Sequence, residues 1–218
     1  MNTIPSLHGP SRGTASGNPA KQLCLFLHGL GADGQDLLGL AELLMPHFPD
    51  MAFTSPNAPF PCDMAPFGYQ WFSLQNTAPD ALLAGVQHAS PILNHYIDVL
   101  LEEYSLSISD LVVIGFSQGT MTALHTLLRR EAPCAAVVGY SGALIAPSQL
   151  RDDLRCRPPV CLVHGNVDMV VPYEALAQAE RTLAENGVSV ETHTRPGLGH
   201  GIDPEGVEIA VRFLKKQL

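Results

Sequence analysis

The stretch LVVIGFSQGT occupies residues 111–120. Its first six residues are apolar apart from Gly115, the composition of a strand covered on both faces. The next segment repeats Met121, Leu124 and Leu128 at helical spacing and predicts a helix over 118–130. Between strand and helix stands Gly115-Phe116-Ser117-Gln118-Gly119, a G-x-S-x-G. A serine at a tight strand-to-helix turn is lifted to the top of the sheet, clear of its neighbours. The glycines have a steric reason, since larger side chains would collide where the backbone folds back. The helix start adds a partial positive charge and free N–H groups. The competing reading is a serine N-cap flanked by chance glycines. The strand–turn–helix setting favours a nucleophile at Ser117.

On either side of this turn, strands and helices alternate. QLCLFLH (22–28) is a nearly all-apolar strand, and MAFTS (51–55) is a short one. Leu37, Leu40 and Leu44 predict a helix over 36–45. Residues 79–104 predict helix in two pieces, with Ser90-Pro91 as a cap followed by a first-turn proline. Beyond the nucleophile turn, CAAVVGY (134–140), VCLVHG (160–165) and VSVETHT (188–194) read as strands. Helices are predicted over 173–185, ended by Asn186-Gly187, and over 203–214. This order predicts an α/β fold with a mostly parallel central sheet and helices on both faces. At 218 residues the chain is expected to form one domain over 1–218. Residues 1–20, rich in Gly, Pro, Ser and Asn, read as a loose arm with an edge strand near Leu7. Residues 55–77 lack a period and hold four prolines, the only tryptophan and four further aromatics, as functional loops or lids often do.

The formal net charge is −9, from 21 acidic and 12 basic residues. That balance argues against nucleic acid and anionic membrane surfaces as partners. The five cysteines form no C-x-x-C, and Cys24 and Cys161 lie inside strands. A reduced, cytoplasmic protein is expected. No secretory h-region and no bilayer-spanning apolar run is present, so no integral membrane association is expected.

A serine nucleophile needs a base, and the base needs an orienting acid. After a G-x-S-x-G elbow the chain order is serine, acid, histidine. Four histidines come after Ser117. His125 lies on the adjoining helix and points away from the turn. His164 ends a strand and suits packing or a backbone hydrogen bond. His193 sits in an alternating strand. His200 lies in GLGHGI, a glycine-flanked loop between the last strand and last helix, and is the favoured base. Asp168 stands just past the strand VCLVHG and is the favoured acid. Asp152 and Asp153 sit in a charged run and read as surface. A second glycine pattern, Gly29-Leu30-Gly31-Ala32-Asp33-Gly34, separates the first strand from the first helix. Its backbone N–H groups can face an oxyanion or a pyrophosphate. In the first case Leu30 and Gln118 supply the two oxyanion-hole N–H groups. In the second the protein is a dinucleotide-dependent oxidoreductase with Asp50 on the ribose. But Asp50 precedes its strand where a ribose-binding acid should end it.

LHGLGADGQDL (27–37), GFSQGT (115–120), HGNVDMVVP (164–172) and GLGHGI (197–202) occur together in this order. On these motifs the chain, from residue 21 onward, resembles the bacterial carboxylesterase/phospholipase branch of the acyl-protein thioesterase-like family, within the α/β-hydrolase superfamily. The resemblance implies an α/β-hydrolase fold without a large cap domain, a Ser117–Asp168–His200 triad, and an oxyanion hole at Leu30 and Gln118. It implies no metal and no cofactor. Trp71-Phe72 matches a family WF near the cleft, so Trp71, Phe72 and Leu74 are the expected substrate-binding residues. Phe60, Met64, Phe67, Trp71 and Leu74 form either an apolar acyl surface or the packing that anchors their loop. Ser73, Thr120 and Gly201 depart from the family pattern, and Ser117 argues against the cysteine-dependent dienelactone hydrolases. The implied activity is hydrolysis of small-molecule carboxylic esters of short to medium acyl chains. Acyl thioesters and lysophospholipids are alternatives for the same machinery, and homodimers occur in the family. A non-catalytic binder on the same scaffold is a remote alternative, because such proteins usually lose a triad member.

Overall fold

The computed structural model describes residues 5–218. In chain order the elements are β1 (Ser11–Arg12), β2 (Gln22–Leu27), α1 (Gly34–Leu38), α2 (Leu40–Leu44), β3 (Met51–Thr54), β4 (Phe60–Pro61), β5 (Tyr69–Gln70) and α3 (Pro79–Tyr104). They continue with β6 (Leu111–Phe116), α4 (Gln118–Leu127), β7 (Ala136–Tyr140), α5 (Leu150–Asp153), β8 (Val160–Gly165), α6 (Glu174–Glu185), β9 (Val190–Arg195) and α7 (Pro204–Gln217). Seven strands form one sheet in the order β1-β3-β2-β6-β7-β8-β9. Only β1 runs antiparallel. This is the α/β-hydrolase arrangement, mostly parallel, with no large cap among the described residues.

Alternation along each strand sends side chains to two cores. Leu23, Leu25, Leu27, Val113, Val137 and Leu162 pack with α3, α4 and α6 on one face. Cys24, Phe26, Val112, Ile114, Val138 and Val163 pack with α1, α2 and α7 on the other. The strand β6 is central, and its end carries Ser117 into α4.

Three local expectations are corrected. The helix expected over 36–45 is two short helices joined at Gly39. The Glu42 N–H reaches back only three residues, to the Gly39 carbonyl, so the four-residue ladder lapses at the weakest helix former. The two helical pieces expected over 79–104 are the single helix α3, which runs through Pro91. Proline removes the hydrogen bond to the Gln87 carbonyl, but both residues are exposed and water can serve that carbonyl. The arm is not loose between residues 7 and 12. Leu7 is buried, the Asn57 and Ser55 N–H groups donate to the His8 and Pro10 carbonyls, and β1 pairs with β3. The strand sits at Ser11–Arg12 rather than at Leu7. Residues 1–4 of that expected arm lie outside the described residues.

Within 55–77, β4 and β5 form a small antiparallel hairpin. Its Gly68 has φ +77°, and a Cβ there would stand 2.0 Å from the Gly31 carbonyl oxygen. The hairpin therefore lies directly on the glycine loop 29–34.

Candidate active site

Ser117 takes φ 52° and ψ −116°, a left-handed conformation that a non-glycine residue rarely adopts. The turn is held by the Ser117 N–H donating to the Tyr140 carbonyl at 2.8 Å. Both flanking glycines are required by space. A Cβ at Gly115 would lie 2.6 Å from the Thr120 nitrogen, and one at Gly119 would lie 1.9 Å from the Leu27 carbonyl oxygen. The strain thus presents the hydroxyl at the sheet's carboxyl edge, where Ser117 keeps a small exposed area.

The glycine loop 29–34 stands beside this turn. A Cβ at Gly29 would touch the Phe116 ring at 3.1 Å and the Ser117 Cβ at 3.4 Å. The Gly31 N–H donates to the Tyr69 carbonyl and the Ala32 N–H to the Gly29 carbonyl. Among the described residues, the Leu30 and Gln118 N–H groups donate to no protein acceptor. Neither N–H is thus taken up within the described part of the protein. Asp50, the ribose-binding acid of the dinucleotide reading, instead pairs with Lys21 at 2.7 Å before β3 begins. His28 braces the loop from below. The Ala58 N–H donates to its Nε2, so Nδ1 carries the hydrogen and donates to the Gly29 carbonyl at 2.7 Å. Burial holds its pKa below the ordinary histidine value, which keeps the ring neutral for that double role.

Trp71 and Phe72 are buried rather than spread along a cleft surface. The Trp71 indole N–H donates to the His28 carbonyl at 3.0 Å. Its backbone N–H donates to the Gln118 side-chain oxygen at 2.9 Å, and the Gln118 amide donates to the Phe72 carbonyl at 2.7 Å. These two residues therefore tie the hairpin segment to the nucleophile turn, while Leu74 stays partly exposed. Gln118→Leu would leave a buried N–H and a buried carbonyl unpaired, costing about 2–6 kcal/mol together. A fall in Tm of roughly 5–15 °C is expected for a chain of this size. An unchanged melting curve would show that the amide does not hold the segment.

On the far side, His200 Nδ1 lies 2.7 Å from Asp168 Oδ2. The carboxylate accepts, so Nδ1 donates and a neutral imidazole keeps its lone pair on Nε2. Asp168 Oδ1 accepts from the Val170 and Val171 N–H groups at 2.8 and 2.9 Å. Burial acts to raise the Asp168 pKa, but the His200 hydrogen bond and the two backbone donors carry it below the usual carboxylate range. The His200 ring packs at a tilt against Phe116, the residue before Ser117, with centroids 4.9 Å apart. No direct Ser117–His200 hydrogen bond is formed in this structure. Such contacts are often long in a free enzyme and tighten in the substrate complex.

Two supports of this pair were not legible as such in the sequence. His164 Nε2 lies 3.0 Å from the Val171 carbonyl and 3.3 Å from Asp168 Oδ2. Both neighbours accept, so that nitrogen carries the hydrogen and donates toward the acid. The His164–Asp168 spacing of four residues was the available signal. Ser141 Oγ donates to the Gly201 carbonyl at 3.4 Å and anchors the loop beside His200. His125 is buried on α4, and His193 pairs with Glu191 on β9. Thr120 packs against Gly139 and Gly142 under the turn, away from the cleft. Among the described residues, no three His, Cys, Asp or Glu side chains are grouped so as to hold a metal ion. Among the same residues, no helix is long and apolar enough to cross a membrane.

Residues 12–218 match the model of a family described as phospholipase/carboxylesterase. The esterase YpfH of Escherichia coli (strain K12) is 26% identical over 197 residues, covering 90% of this chain and 83% of that one. The acyl-protein thioesterase 1 of Saccharomyces cerevisiae is 27% identical over 214 residues, covering 92% and 94%. Among solved structures, esterase PE8 superposes with a TM-score of 0.94 at 39% identity, covering 98% of this chain and all (100%) of that chain.

Proposed function

The chain belongs to the phospholipase/carboxylesterase family, and from that premise we propose that it is a serine hydrolase of small-molecule carboxylic esters with short to medium acyl chains. The observation that carries the reading is His200, oriented by the buried Asp168 carboxylate at 2.7 Å and packed against Phe116, the residue before the strained Ser117 turn. Ser117 Oγ attacks the acyl carbonyl while His200 Nε2 takes its proton. The carbonyl oxygen gains the negative charge, and the Leu30 and Gln118 N–H groups bind it. The carbon–oxygen bond to the alcohol then breaks, and the alcohol leaves with the proton from His200. Water, deprotonated by His200, attacks the acyl-serine, and the acid departs as Ser117 regains its proton. Asp168 fixes the tautomer throughout. The five unpaired cysteines, Cys24, Cys134, Cys156 and Cys161 among them buried, favour a reducing compartment such as the cytoplasm.

Long acyl thioesters are the second reading. What favours it is a set of exposed apolar side chains around the site: Phe67 on the hairpin at 74% exposure and Met169 beside Asp168 at 92%. Comparing p-nitrophenyl esters from acetyl to palmitoyl with the matching acyl-CoA thioesters separates the two. Turnover peaking on short oxygen esters is the expected result. A peak on long thioesters would transfer the assignment to a thioesterase.

A further inference from the structure

Phe116 does more than support His200. With Leu37, Leu40 and Ile202 it forms the head of a groove of about 400 Å³ that opens next to the imidazole. Leu40 and Ile202 also belong to a second groove, of about 640 Å³, between α2 and α7. Its walls are Leu43 on one helix and Val207 and Val211 on the other. The two grooves adjoin at these shared residues, one beside the His200 ring through Phe116 and the other farther along α2 and α7. Both volumes lie in the range of small-molecule sites. Leu43 is 52% exposed, an uncovered leucine facing the second groove. Charged residues, the Glu208–Arg212 pair among them, keep the outer rim in water.

We propose that these two grooves bind the alkyl arm of the alcohol half of the ester. The inference rests on the hydrolase reading above and adds a substrate class to it. The leaving alcohol must take its proton from His200 Nε2, so the alcohol half lies against the imidazole. Phe116 touches that ring, and Ile202 stands two residues after His200. The carbonyl oxygen faces the Leu30 and Gln118 N–H groups, and Phe116 lies between the glycine loop that carries Leu30 and the His200 ring. An alkyl chain leaving the ester oxygen therefore enters the groove at Phe116 and Ile202 and runs toward Leu43 and Val211. From Pro204 to Arg212 the α7 wall extends about 12 Å at 1.5 Å per residue, room for a chain well beyond ethyl.

The test compares two ester series, alkyl acetates from ethyl to octyl and methyl alkanoates from acetate to octanoate. Full burial of a methylene is worth up to roughly fourfold in binding. The kcat/KM of the acetates is expected to rise at least about tenfold from ethyl to octyl. Leu43→Asp should flatten that rise and leave the alkanoate series as it was. Val99→Asp, a new charge at an exposed position of α3, should leave the rise intact. In parallel, 1-octanol titrated into Ser117→Ala should shift the backbone NMR signals of Leu43, Val207 and Val211. If hydrolysis proceeds but the acetate series is flat, or Leu43→Asp alters only the alkanoates, the groove assignment is overturned and the esterase stands. If neither series is hydrolysed while octanol shifts those signals, the esterase reading falls and the grooves remain an alkyl site. If Leu43→Asp instead converts a dimer to a monomer in sedimentation and leaves both series unchanged, a second copy covers the grooves and the proposal is wrong.

Discussion

Replacing Ser117 by alanine is expected to lower kcat/KM toward any ester by about 10⁵-fold or more, with Tm within about a degree of the parent. The first number comes from losing a nucleophile whose partners cannot act alone; removing one member of such a unit costs nearly as much as removing all. The second comes from the turn. Alanine has the same Cβ, so the φ of 52° is no worse tolerated, and the Ser117 N–H still donates to the Tyr140 carbonyl. The free Leu30 and Gln118 N–H groups also survive, so the residual rate should exceed that of water by roughly 10³-fold. A fluorophosphonate probe should label the parent on Ser117 and leave the variant unlabelled. Wild-type turnover by Ser117→Ala would remove the serine from the chemistry altogether.

The strained turn at Ser117 was readable because most of its constraints are local. A strand, a tight turn and a helix lie within twenty residues, and Gly115 answers to the Thr120 backbone five positions on, although Gly119 answers to the Leu27 carbonyl of a distant strand. The pairing of Asp168 with His200 was readable for a related reason. Each sits in a loop at the carboxyl end of its own parallel strand, and such loops converge on one edge of the sheet. What stayed hidden depends on contacts across the chain. Nothing near Gln118 reveals that its side chain bonds the backbone of residues 71 and 72, more than forty positions earlier. For the same reason Trp71 read as a cleft residue. Its aromatic bulk is visible in sequence, whereas the His28 carbonyl that takes its indole N–H is not. Pro91 misled in the opposite direction. Its cost to a helix is real, but exposure of the orphaned carbonyl lets water meet it, and exposure depends on what α3 packs against. Leu43 stands outside the Leu37, Leu40 and Leu44 stripe, and only the position of α7 gives it a neighbour.

Asp168→Asn should be the most informative single change at the acid, with kcat at neutral pH down by about 10⁴-fold and KM little altered. The two sides of the carboxyl group explain why. Oδ1 accepts two backbone N–H groups, from Val170 and Val171. An asparagine keeps both only by placing its oxygen there, which turns its NH₂ toward His200. Nδ1 must then offer its lone pair, and the ring hydrogen moves to Nε2, the nitrogen that has to take the proton of Ser117. The same NH₂ would face the His164 Nε2–H, now 3.3 Å from the carboxylate, donor against donor. The flipped amide restores the His200 bond but sets its NH₂ against two backbone donors, at a cost of about 1–3 kcal/mol for each group left unpaired. Either orientation penalises the variant, one in rate and the other in stability. The depressed Asp168 pKa sets the pH dependence. The stability from the native carboxylate is fully present above the ordinary unfolded aspartate pKa and is lost as pH falls through the lower folded value. The Tm gap between parent and variant should therefore be widest at neutral pH and narrow in strong acid. A variant within tenfold of the parent in kcat would mean that another group sets the His200 tautomer. A gap that widened on acidification would mean that Asp168 is not held ionised by its partners.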